Sequence, residues 1–147
     1  MQLRVFRQNW GLGNDWKVLL PHVKELGYDG VEVSTSEIDD AAEFVRLTRQ
    51  YDLPSVQMIY STGNSVGEHV ESFREQVYQA IKLEPVLINS QSGVDAFSED
   101  EAITYFSEVL KIEADAGVSI AHETHRGRIL YNPVSYTHLR AHETQPY

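Results

Sequence analysis

The sequence contains no cysteine. Disulfide frameworks and thiolate metal sites are therefore excluded. It has no apolar run near the roughly 20 residues that a membrane span requires, and its opening, "MQLRVFRQNW", lacks the apolar stretch of a secretory signal. The expectation is a cytoplasmic protein with no membrane partner. Basic residues are also scarce, at 12 against 22 acidic ones, for a formal net charge of −10. Such a surface repels a phosphate backbone, so nucleic acid is not an expected partner.

What is present is a regular alternation. "LRVF" (3–6), "GVEV" (30–33), "LPSVQMIYS" (53–61), "PVLINSQ" (85–91) and "VSIAHE" (118–123) read as strands. Helical patterns lie between them. In "DWKVLLPHVKELG", Trp16, Leu19, Leu20, Val23 and Leu26 recur at helical spacing. Asp15 caps that pattern, Gly27 closes it, and Pro21 is expected to kink it or end it early. "SEIDDAAEFVRLTRQYD" is acidic first and basic last, with Ile38, Ala42, Val45 and Leu47 as its apolar positions. "VGEHVESFREQVYQAIKL" aligns Val70, Phe73, Val77 and Ile81 on one face. The fourth helix opens on Ser98-x-x-Glu101, a capping box, and stops at Gly117. Strand then helix, about every 30 residues, predicts an α/β fold with a parallel sheet and crossover helices. Periodicity alone does not separate a doubly wound sheet from a TIM barrel. "GLGNDW" has only two of the three glycines of a dinucleotide loop. It reads as a turn, with a substrate-covering loop as the other reading.

In a barrel, function sits at the C-terminal strand ends. Glu32 lies between Val31 and Val33, so if the valines face the helices Glu32 faces inward. By the same alternation Val86 and Ile88 face the helices, while Asn89 and Gln91 do not. Val118 and Ile120 face the helices, and Glu123 is aimed inward. An inward carboxylate needs a partner or a cation. "HETH" (122–125) is not the zinc-protease pattern, because its histidines stand one residue too close. Glu123 is the metal-ligand candidate and His125 a neighbour within reach of metal or substrate. His122 reads as structural. Arg126 and Arg128 either clamp a polar or anionic substrate or balance an acidic rim.

"ELGYDGVEV" and "VSIAHETHRGRILYNP" together resemble the xylose-isomerase-like TIM-barrel superfamily, nearest to its sugar phosphate isomerases/epimerases. The resemblance runs from about Leu3 to Pro133 and covers about five of the eight strands of a barrel. It implies a sugar or sugar derivative as substrate and proton transfer through an enediolate. It also implies a divalent metal, Mn, Mg, Co or Zn. Glu123 carries the catalytic and metal-ligand role. Glu32, Asn89, Gln91, His125 and Arg126 are the substrate-binding candidates. Relatives that cut abasic DNA carry extra histidines on strands three and four, where this chain has none. A non-catalytic sugar-binding module is the alternative, and an abasic-site endonuclease a weaker one.

"AHET" occurs at 121 and again at 141. The first copy ends a strand. The second lies in "VSYTHLRAHETQPY" (134–147), which has no stripe, alternation or cap, and resembles translated adapter sequence. Residues 1–133 are thus read as the N-terminal part of a barrel and 134–147 as a non-native or disordered tail. His138, His142 and Glu143 are excluded as ligands. Five strands leave two edges and an open interior. The expectation is a marginal, inactive fragment of unknown oligomeric state.

Overall fold

A computed structural model describes residues 3–131 and Thr137. Apart from Thr137, the positions read as a tail lie outside the described residues. The elements are β1 (Phe6–Gln8), α1 (Trp16–Glu25), β2 (Gly30–Ser34), α2 (Ala41–Tyr51), β3 (Ser55–Tyr60), α3 (Val66–Ile81), β4 (Leu87–Gln91), α4 (Glu99–Ala116) and β5 (Ile120–His122). Short 3-10 turns lie at Thr35–Glu37 and Ile129–Tyr131.

All five strands are parallel and form one sheet in the order β1-β2-β3-β4-β5. This order decides what periodicity could not. A doubly wound sheet reverses direction at a switch point and covers both faces with helices. Here every crossover steps to the next strand the same way. Crossovers of one hand then put all helices on one face and leave the other face as the inside of a barrel. The expectation of an incomplete (βα) barrel is borne out.

The helix face carries two apolar clusters. One joins Leu19, Leu20 and Val23 of α1 to Phe44 and Leu47 of α2 over Val31 and Val33. The other joins Phe73 and Val77 of α3 to Tyr105, Val109 and Ile112 of α4 over Ile59 and Ile88. Val118 and Ile120 pack against its margin. No helix among the described residues is long and apolar enough to cross a membrane.

Several expectations need correction. The first strand is Phe6–Gln8, not 3–6; Leu3 and Val5 are exposed and precede it. Val86 is exposed, just before β4, although its N–H still donates to the Ser55 carbonyl at 2.9 Å and keeps the parity of Ile88. Helix α1 runs unbroken through Pro21. The missing N–H there orphans only the carbonyl of Lys17, an exposed residue in the first turn. Asp15 makes no side-chain cap. Helix α2 begins at Ala41, because Asp40 accepts a hydrogen bond from the Glu43 N–H at 2.9 Å and sets the start there. Its buried face is Phe44, Leu47 and Thr48, while Ala42 is exposed.

The capping box at Ser98 and Glu101 is present, and Gly117 takes the left-handed conformation at φ 68° that ends α4. At Gly30 a Cβ would lie 2.4 Å from both the Phe6 ring and the Pro54 carbonyl oxygen. Only glycine lets β1 close on β2 at the floor of the barrel face.

Candidate functional site

Register sorts the side chains between the two faces. Gln8 pairs with Glu32, Met58 with Asn89, Tyr60 with Gln91, and Asn89 with Ala121. Residues paired across parallel strands share a face, so these positions line the inner side. Beyond β5 the Glu123 N–H still donates to the Ser90 carbonyl at 2.9 Å, which carries the alternation one residue further.

The inner polar groups converge at the C-terminal strand ends. Asn89 Nδ2 donates to Glu32 Oε1 at 3.1 Å and to Glu123 Oε2 at 3.4 Å. Gln91 Nε2 donates to the same Glu123 oxygen at 3.2 Å. Glu32, Asn89, Gln91 and Glu123 are thus joined through amide donors from β4. Each amide neutralises part of the desolvation cost of a half-buried carboxylate.

The rim extends beyond the residues singled out from sequence. Asn9 Nδ2 donates to Glu37 Oε2 at 2.5 Å, tying the loop after β1 to the turn after β2. Tyr60 lies on the same inner face, paired with Gln91. Burial pushes its pKa up, and Glu123, Glu37 and Glu32 add to the shift by repelling a phenolate. Gln8 and Tyr60 both lie against the Met58 sulfur, at 3.9 Å each. Gln8, Met58 and Tyr60 share the parity of Glu32 and Asn89, but only the interstrand register reveals it.

His125 and Arg126 lie apart from this cluster. The strand ends at His122, and residues 125–128 form a turn in which the Arg128 N–H donates to the His125 carbonyl at 3.1 Å. His125 Nδ1 faces the Arg126 carbonyl at 2.7 Å. The alternation that put His125 beside Glu123 is therefore lost. Arg126 is exposed on the same turn. Arg128 Nη1 donates to the carbonyls of Ser61 and Gly93, both at 3.0 Å, and so ties the exits of β3 and β4 together.

Directly behind Glu123, His122 points to the helices. Its Nδ1 lies 2.5 Å from Ser92 Oγ and its Nε2 2.5 Å from Glu113 Oε1 on α4. The ring stacks on Phe73 at 6.1 Å and meets Phe106 edge-on at 5.0 Å.

The resemblance implies a divalent metal on Glu123. Among the described residues no three His, Asp or Glu side chains converge as a metal site. Glu123 Oε2 already accepts two amides, and His125 is turned aside. These residues offer one carboxylate, not a ligand set, and by themselves they do not fit a bound ion.

Solved structures share this architecture. The zinc-bound IOLI protein superposes with a TM-score of 0.72 at 12% identity, over 97% of this chain and 60% of its own. The 3-keto-D-glucoside 4-epimerase of E. coli gives 0.69 at 12% identity, over 96% and 64%. An AP endonuclease, family 2, of Brucella melitensis gives 0.66 at 18% identity, over 98% and 66%. The fold is that of the xylose-isomerase-like TIM barrels. Likeness at this level of identity speaks for the fold alone. The chain spans 60 to 66% of the length of these neighbours. No protein-family model matches the sequence, and no curated protein matches it.

Proposed function

We propose that the mouth formed by β1–β5 is the substrate side of a carbohydrate site, in a sugar isomerase or epimerase that moves a proton beside a carbonyl. One observation carries this reading. The Asn89 amide donates to Glu32 from β2 and to Glu123 from β5, so two carboxylates from different strands flank one point. Abstraction of a carbon-bound proton needs a carboxylate within reach. Returning that proton to the neighbouring carbon needs no second base. Returning it to the opposite face of the same carbon calls for a second carboxylate, and Glu32 is its candidate. Glu123, oriented by Asn89 and Gln91, is the first base. The second N–H of Gln91 and the Tyr60 hydroxyl supply donors for substrate oxygens as negative charge develops. Sharing a fold with an AP endonuclease does not make DNA a good ligand for an acidic mouth.

Because the chain spans less than two-thirds of its neighbours, we assign turnover to a barrel completed by further βα units. The chain alone is expected to bind without turning over. Ligand-observed NMR with open-chain ketoses should detect binding to the chain, and Asn89→Ala should weaken it. In a complete barrel, Glu123→Gln should slow solvent-deuterium entry into the ketose by about 10²–10⁴-fold while affinity persists. Undiminished exchange would remove Glu123 from the chemistry. Binding with no exchange in the unmodified barrel would reduce the site to a sugar-binding module.

A further inference from the structure

We infer that this half of the mouth selects an uncharged polyhydroxyl substrate and rejects its phosphate ester. The inference rests on the carbohydrate reading above and narrows it.

The donors and acceptors on the rim suit hydroxyl groups. Glu32, Glu37 and Glu123 accept, while Gln91 and Tyr60 can donate. A sugar hydroxyl both donates and accepts, so it can satisfy either set. A phosphate dianion only accepts, and it would meet Glu32 and Glu123, the two carboxylates that the Asn89 amide bridges. At these short ranges like charges repel by several-fold more than in open water.

The cations that would offset this are directed elsewhere. Arg128 Nη1 is engaged by the Ser61 and Gly93 carbonyls. Arg7 pairs in register with Val31, so it belongs to the helix face, and its guanidinium donates to the Gln8 carbonyl. Arg46 and Arg49 lie on the outer helices, paired with Glu43 and Glu84.

Three of the four helix N-termini are guarded against phosphate as well; that of α1 is not, since Asp15 makes no side-chain cap and the first turn holds no acidic residue. In a βα barrel helix N-termini open at the same end as the mouth, and free N–H groups there attract phosphate. Here Asp40, Ser65 and Ser98 each take one first-turn N–H of α2, α3 and α4. Each also carries an acidic residue, Glu43, Glu68 or Glu101. Arg126, exposed on the turn after β5, and the uncapped start of α1 are the rivals to this reading.

The test titrates the 147-residue chain with D-fructose, D-tagatose and D-xylulose, and with their phosphate esters, by ligand-observed NMR. At low salt the free ketose should bind at least about tenfold tighter than its ester. High salt should shrink that ratio, because the screening length falls to about 3 Å at 1 M. Glu37→Gln should shrink it too, by removing one of the repelling charges. An ester that binds as tightly as the free ketose, or tighter with the preference lost in Arg126→Ala, overturns the inference and makes Arg126 an anion clamp. That result leaves the carbohydrate reading standing. If no ketose and no ester binds, the carbohydrate reading fails and this inference falls with it.

Discussion

The two faces of this sheet treat polar groups in opposite ways, and two adjacent residues at the end of β5 show how. His122 faces the helices, and each ring nitrogen has its own partner, in Ser92 and Glu113. Aromatic rings close over it. Glu123, one residue later, faces the barrel. Its Oε2 takes two amides, and its Oε1 has no hydrogen-bond partner among the described residues. A side chain whose hydrogen bonds are all made stabilises its surroundings. One with an acceptor to spare can still take a ligand. The helix face is built for stability and the mouth for binding, although the same strands supply both.

That contrast can be broken by substitution. The largest loss is expected on the helix face from Phe73→Ala. Phe73 is fully buried in the α3–α4 cluster, and truncation should cost about 3–5 kcal/mol in urea unfolding. His122→Ala should follow, at about 1–3 kcal/mol, because it strands Glu113 and Ser92 without their partner. A loss from Phe73→Ala no larger than a surface substitution gives would end the distinction.

Acid should weaken the same face next. Burial lowers the pKa of His69, and Arg128 nearby lowers it further, from the ordinary 6.5. The unfolded chain therefore binds a proton at a pH where the folded chain does not. Stability from this group is fully present above about 6.5 and declines as pH falls from there towards the folded pKa. Melting temperature should drop from pH 7 to 5, and His69→Gln should flatten that slope. An unchanged slope would show that His69 is not the cause.

The smallest effect on stability is expected at the mouth. Asn89→Ala should cost no more than about 1 kcal/mol, because water can replace the amide on carboxylates that are only half-buried, while it weakens ketose binding. A large destabilisation there would mean that the amide bridge holds the barrel wall together and is not a ligand site.

Much of this was legible from the sequence. The strand–helix alternation, the capping box at Ser98 and the stop at Gly117 depend on neighbours within a few residues, so local pattern suffices. The inward parity of Glu32, Asn89 and Gln91 was legible too, because two-residue alternation holds inside a strand. It failed at His125, where the strand had already ended and a turn reset the direction. Tyr60 and Gln8 escaped notice because their parity relative to Glu32 depends on interstrand register.

The sequence by itself determined the elements, the apolar faces of the helices and the direction in which Glu123 points. Those follow from backbone periodicity and from where water is excluded. Only the tertiary structure decided that the strands follow one another in order, and that Asn89 reaches both Glu32 and Glu123. Such facts depend on pairing between residues far apart in the chain, which no local pattern encodes.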